Sequence, residues 1–191
     1  GRVNDVLTIM KLGPLVLVIA LGFIFLAYNP ENLVLNYSPI APLGWDNFGT
    51  AIVLIFWAYA GFEMGTLPAS EVKNPKKVIP KAITVGMLLV ILFYLLTNFV
   101  LYGAINWVEL SNSTLPLVLG GTLVIGYIGG VIVSFGALTS VSGTSSSFTL
   151  GVSRLYYAMS NEGLLPKIFS RVHNKYKTPF MALIIQGIIA F

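Results

Sequence analysis

Stretches of about 20 apolar residues, cut by short clusters of charge, proline, glycine and asparagine, constrain this chain more than any other feature. In the hydrocarbon layer every backbone N–H and C=O must find a partner inside the protein, so such stretches fold as helices. Five are present: Val6–Ala27, Phe48–Pro68, Ala82–Ala104, Leu123–Met159 and Pro179–Phe191. The expected fold is therefore all-α, a polytopic transmembrane helix bundle in a single transmembrane domain. The fifth stretch stops in mid-pattern at Phe191, and the expectation is a piece of a longer protein. The first is too long, and carries Lys11 too far inside, to read as a signal peptide.

Composition excludes several function classes. Over 191 residues 56% are hydrophobic and only 9% charged, against about a quarter charged in soluble domains, which argues against a water-soluble enzyme. The 11 Lys and Arg against 7 Asp and Glu sit in clusters between apolar runs and do not cover a solvated face, so no nucleic-acid surface is expected. Cysteine is absent and His173 is the sole histidine, in a basic loop. Disulfides, thiolate zinc sites and thiol nucleophiles are ruled out, and no metal, cofactor or catalytic constellation is expected.

The basic clusters set sidedness. Lys73, Lys76, Lys77 and Lys81 precede the third stretch; Arg154, Lys167, Arg171, Lys175 and Lys177 precede the fifth. By the positive-inside rule both groups are cytoplasmic. The segments Tyr28–Asn47 and Ile105–Gly121 hold Glu31, Asp46 and Glu109 but no Lys or Arg, and face outward. The N-terminus with Arg2 is then inside. Cutting Leu123–Met159 into two crossings would move Lys167–Lys177 outside, so it reads as one tilted helix. Its Gly126, Gly129, Gly130 and Gly136, followed by the small polar run Thr139–Ser147, permit close helix contact. Two glycosylation triplets, Asn36-Tyr-Ser38 and Asn112-Ser-Thr114, fall in the outward segments.

In the second stretch, Phe56-Trp-Ala-Tyr-Ala-Gly-Phe-Glu63 places an acid deep in apolar sequence. A carboxylate there costs a few kcal/mol or more. Two readings fit: a protonated or hydrogen-bonded Glu63 tying helices together, or a role in transport. Gly61, with Thr66 and Pro68 further on, weakens the helix, and irregular backbone at membrane depth is tolerated only where it is buried in protein or lines a cavity. A broken helix marks substrate sites in secondary transporters. The negative pole of the first half-helix would end near Gly61 and suit an ammonium group, with Trp57 and Tyr59 able to cover it.

Lys11 lies about 7–8 Å into the first stretch at 1.5 Å per residue. It can snorkel to the cytoplasmic interface. Alternatively it is a buried ammonium facing the polar run, donating to Ser142 and Thr144, with a protonation equilibrium that burial would shift. Pro14 frees a backbone carbonyl nearby and fits both readings.

Phe56–Glu63, Glu71-Val-Lys-Asn-Pro-Lys-Lys-Val-Ile-Pro-Lys-Ala82, Ser153-Arg-Leu-Tyr-Tyr-Ala-Met-Ser-Asn-Glu-Gly-Leu-Leu-Pro166 and Lys177-Thr-Pro179 together resemble amino acid–polyamine–organocation (APC) permeases, in order and across nearly the whole chain. The resemblance implies helices five to nine of a twelve-helix protein with the LeuT-type inverted repeat and a discontinuous helix near Gly61. The remaining helices, including the glycine-rich break of the first, would belong to the same full-length protein. On this likeness Trp57 is the aromatic gate over the substrate; Ala58, Tyr59, Ala60 and Gly61 are the unwound backbone beside its amine. Glu63 matches an acid that supports the site and links helices, and Phe148 falls where the fourth stretch reaches the pocket. Lys11 takes the place where sodium-coupled relatives hold a cation, with Ser142 and Thr144 about where those relatives supply hydroxyls. The implied function is secondary-active transport of an amino acid or related amine across the cytoplasmic membrane by alternating access, read first as proton-coupled symport. An amino acid/polyamine exchanger is the alternative, and a non-transporting membrane scaffold or receptor a further one.

Overall fold

A computed structural model describes residues 2–66 and 72–189, with side chains described at all of these except residues 2–4 and 63. Glu71 of the second quoted motif, Pro68 at the end of the second stretch, and Ala190 and Phe191 lie outside the described residues. The described residues are helical and contain no strand. In chain order the helices are α1 (Arg2–Tyr28), α2 (Pro30–Tyr37), α3 (Phe48–Trp57), α4 (Pro75–Ala104), α5 (Trp107–Asn112), α6 (Pro116–Ile125), α7 (Tyr127–Asn161) and α8 (Phe180–Ile189), with 3-10 turns at Phe62–Thr66 and Lys167–Ser170. Three of them, at Asp5–Tyr28, Pro75–Ala104 and Tyr127–Asn161, are long and apolar enough to cross a membrane.

Several boundaries differ from those read in the sequence. α4 begins at Pro75, seven residues before Ala82. Pro75 is pre-set for a first helical position, and Asn74 takes the left-handed conformation that asparagine tolerates (φ 54°) while its carbonyl accepts from Lys77 and Val78. The lysines that follow are good helix formers. The segments Tyr28–Asn47 and Ile105–Gly121, read as loops, hold α2, α5 and most of α6, and α2 and α6 start with proline at the N-terminal turn. Leu123–Ile125 belong to α6 and not to the long helix. Gly126 separates the two at φ 80°, ψ −168°, which a side chain would resist; its N–H donates to the Thr122 carbonyl and its own carbonyl accepts from Gly129. From Tyr127 to Asn161 α7 is one continuous helix of 35 residues.

The chain divides into two compact units, Gly1–Ala58 with Met87–Gly143, and Tyr59–Gly86 with Thr144–Phe191. In the first, Leu26, Leu101, Ala104 and Ile105 form a buried cluster surrounded by Leu33, Leu110 and Leu117. Glycines let the helices approach: a Cβ at Gly22 would collide with Val100, and one at Gly120 with Leu101. α2 is tied across α4, where Asn36 Nδ2 donates to the Gly103 carbonyl (2.9 Å) and the Tyr37 hydroxyl to the Phe99 carbonyl (2.9 Å). Phe23, Phe99 and Tyr37 stack in series with centroids 5.7 Å apart. The Asn36 amide of the first glycosylation triplet is thus committed to the fold. Burial, and secondarily the neighbouring Tyr102, hold the Tyr37 hydroxyl above its ordinary pKa of 10.0.

In the second unit α7 ends in a Schellman motif. Gly163 has φ 79°, its N–H donates to the Ser160 carbonyl, and Leu164 N–H donates to the Met159 carbonyl. Ser160 Oγ donates to the Pro166 carbonyl (2.8 Å), and Tyr156 meets Phe169 edge-on at 5.7 Å. The following loop closes on His173, whose N–H donates to the Thr178 carbonyl while its own carbonyl accepts from Lys177.

Candidate functional site

The second apolar stretch is not a continuous rod. The α-helical ladder of α3 ends at Trp57; Ala58 N–H turns back to the Ile55 carbonyl (3.0 Å) and Ala58–Gly61 form a turn. Gly61 sits at φ 106°, a conformation that L side chains avoid, and nothing lies within 4 Å of where its Cβ would be. The chain then tightens into the 3-10 turn Phe62–Thr66, opened by Met64 N–H donating to the Gly61 carbonyl (3.1 Å). Glycine supplies the reversal that the preceding β-branched and aromatic run would not make unaided.

The two sides of the break have different surroundings. Trp57, the last residue of α3, is 81% exposed, and the Ala58 carbonyl accepts from the Tyr94 hydroxyl of α4 at 3.3 Å. A carbonyl expected to face a ligand amine therefore already accepts one hydrogen bond from within the protein. Beyond the break, the 3-10 turn rests on α4 through Phe62 against Gly86 and Gly65 against Ile83. Gly61, Phe62 and Gly65 line an apolar cavity of about 390 Å³ with Ile79, Ala82 and Ile83. Tyr59 and Ala60 lie in the turn itself. Of Glu63, only its backbone position in the 3-10 turn is described.

Lys11 is half-buried on α1 and makes no hydrogen bond or ion pair with the described residues. Its level against α7 follows from two glycine contacts. A Cβ at Gly136 would stand 2.7 Å from Pro14 Cγ, and one at Gly143 would stand 3.4 Å from Leu7 Cβ. Both pairs are seven residues apart and run in opposite directions, so the helices are antiparallel there. Leu7, Lys11 and Pro14 occupy one face of α1, and the register sets Lys11 level with Thr139. Ser142, read as its acceptor, is exposed, lies about a third of a turn round α7 from the Gly136–Gly143 line, and donates to its own helix at the Leu138 carbonyl (2.9 Å). Thr139, buried with Oγ1 donating to the Gly136 carbonyl, lies on the Gly136–Gly143 side of α7. Thr144 and Phe148 are exposed on the part of α7 that belongs to the second unit.

Tyr94 and Thr139 were not among the site residues expected from the sequence. Tyr94 was visible in the period-four polar row Tyr94, Asn98, Tyr102 along an otherwise apolar helix, where Asn98 Nδ2 donates to the Tyr94 carbonyl (2.8 Å). Thr139 was visible only as the middle of the Gly136–Gly143 heptad.

The profile of the amino acid permease family matches residues 1–191. Among curated proteins of Bacillus subtilis (strain 168), the chain is 30% identical to the branched-chain amino acid permease BcaP over 186 residues, 95% of this chain and 38% of the relative. It is 31% identical to a methylthioribose transporter, covering 99% of this chain and 40% of that protein. It is also 31% identical to the serine/threonine exchanger SteT, covering 100% and 43%. The chain thus spans about two-fifths of the length of the curated relatives it matches. The family is one of multi-pass membrane permeases and not of enzymes. With its full length matched, its all-α architecture and its interrupted second apolar stretch, this chain belongs to the amino acid permease family.

Proposed function

We propose that the chain is the central part of a secondary-active carrier that moves an amino acid or related amine across the cytoplasmic membrane by alternating access, with the N-terminus of α1 and both lysine-rich segments on the cytoplasmic side. The observation that carries this reading is the break at Ala58–Gly61. An interrupted apolar stretch is the usual place for a substrate site in secondary transporters, because irregular backbone at membrane depth is tolerated where it is buried in protein or lines a cavity. The negative end of α3 favours a substrate ammonium there. Trp57, at the lip of the break, covers the amine as a gate, Tyr59, Ala60 and Gly61 form the cradle, and Phe148 packs on the substrate from α7. Glu63 braces the segment after the break. Lys11 occupies the position of a coupling cation, so that its protonation state biases the carrier between outward and inward forms. Thr139, at the level of Lys11 on the facing side of α7, is the acceptor this reading favours ahead of Ser142, and Thr144 is a second hydroxyl of the same run.

The test is amino acid uptake by the full-length protein in proteoliposomes. Trp57→Ala is expected to abolish saturable uptake of the transported amino acid while leaving the protein folded, and unchanged uptake of every amino acid tried would remove the gate role. The exchanger name of one relative supports a second reading, exchange of one substrate for another with Lys11 permanently charged. Stimulation of uptake by internal amino acid without response to a proton gradient would favour exchange over symport.

A further inference from the structure

α4 is longer than the apolar layer it crosses. Its 30 residues span about 45 Å at 1.5 Å per residue, against about 30 Å of hydrocarbon. Its C-terminal end, with Leu101 and Ala104, belongs to a buried apolar cluster. The excess therefore stands at the other end, where Lys76, Lys77 and Lys81 occupy the first two turns and Lys73 precedes them. From Ile83 to Ala104 the helix carries no charge and is long enough by itself to cover the hydrocarbon, which sets the lysines at the level of the phospholipid headgroups.

These charges are not used inside the protein. All four lysines are exposed, and their ammonium groups make no hydrogen bond or ion pair with the described residues. No Asp or Glu occurs from Val72 to Ala104. Cations at the start of a helix oppose its dipole, and Lys77 and Lys81, four residues apart, repel each other. They are also turned away from the packed face of α4. Ile79, Ile83 and Gly86 face the 3-10 turn, and at 100° per residue Lys77 and Lys81 stand about 150–170° round the helix from that line, with Lys76 on its flank. Cations so placed, unfavourable to the helix that carries them and directed outward at headgroup depth, are offset by an anion from outside the chain.

We infer that Lys76, Lys77 and Lys81, with Lys73 ahead of them, form a docking face for the phosphate groups of anionic phospholipids, whose acyl chains run along the apolar helix from Ile83 onward. Clusters of about four to eight basic residues beside a membrane-crossing helix attract anionic headgroups, and an ammonium on a flexible stem can follow a phosphate as it moves. Depth separates this partner from a nucleotide or an acidic peptide, neither of which gains from the apolar helix that begins beside the lysines. The assignment does not depend on which substrate the carrier moves.

The test uses the full-length carrier in detergent, titrated with phosphatidylglycerol, with phosphatidylcholine of the same acyl chains, and with inorganic phosphate, read by bound lipid in native mass spectrometry and by thermal stability. Phosphatidylglycerol is expected to bind saturably and to raise the melting temperature where phosphatidylcholine and phosphate do not. Lys76→Gln, Lys77→Gln and Lys81→Gln combined keep helix propensity at exposed positions, and are expected to hold the lipid-free melting temperature while weakening phosphatidylglycerol at least about tenfold. Lys76→Arg, Lys77→Arg and Lys81→Arg combined keep the charge and are expected to retain binding. Equal binding of both lipids, undiminished binding after the glutamine changes, loss of binding after the arginine changes, or equivalent stabilisation by inorganic phosphate would each overturn the lipid face.

Discussion

Gly136 of α7 lies directly against Pro14 of α1, so closely that a Cβ would stand 2.7 Å from Pro14 Cγ, and seven residues along each helix a Cβ at Gly143 would meet Leu7 Cβ at a looser 3.4 Å. Proline has few ways to yield: its ring is fixed to the backbone, and the helix around it already lacks one hydrogen bond. The pair therefore sets both the spacing of the two helices and the level at which Lys11 stands.

Replacing Gly136 by alanine should force the helices apart and destabilise the full-length protein by about 1–3 kcal/mol, the usual range for overpacking. Gly143→Ala should cost less, because its Cβ would meet Leu7 at 3.4 Å, close to ordinary contact. Thermal unfolding in detergent checks the order; equal melting temperatures for the two variants would show that the Pro14 contact does not control the spacing.

Gly61→Ala separates backbone strain from crowding. Its φ of 106° excludes an L side chain, yet nothing lies within 4 Å of the added methyl. The cost should be purely conformational, on the order of 1–3 kcal/mol, and should appear as lost uptake. A variant with normal uptake and normal stability would contradict the strained turn.

The register of α1 on α7 makes a comparison between hydroxyls. Thr139→Val keeps shape and removes a buried hydroxyl level with Lys11, and should lower uptake by about fivefold, the equivalent of one hydrogen bond of about 1 kcal/mol. Ser142→Ala should leave uptake within about twofold of the parent. Lys11→Ala should remove the pH dependence of uptake, and its persistence would end the coupling role.

Tyr37 predicts an alkaline limit. Its hydroxyl titrates above 10.0 in the folded protein because burial disfavours the phenolate, so between the unfolded and folded values the native state holds more protons than the unfolded state. Stability is then full below about pH 10 and falls as pH rises through the folded value. Tyr37→Phe should flatten this alkaline fall while costing about 0.5–1.5 kcal/mol at neutral pH for the lost bond to the Phe99 carbonyl. Parallel stability curves for parent and variant from pH 8 to 11 would refute it.

What could be read from the sequence was what composition and local conformation alone decide. Apolar runs of membrane length made the chain helical because hydrocarbon offers backbone groups no other partner, and Gly61 marked the interruption because only glycine accepts its φ without strain. The short helices α2, α5 and α6 were less legible. Each is six to ten residues long, below the length at which a helix is stable by itself, and they exist through contacts such as Asn36 with Gly103 and Gly120 with Leu101. That Thr139, rather than Ser142, lies on the Gly136–Gly143 side of α7 was beyond sequence for the same reason. Both are small hydroxyl residues in one polar run, and which one faces α1 is decided by a rotation of about 100° per residue that only the Pro14–Gly136 and Leu7–Gly143 contacts pin down.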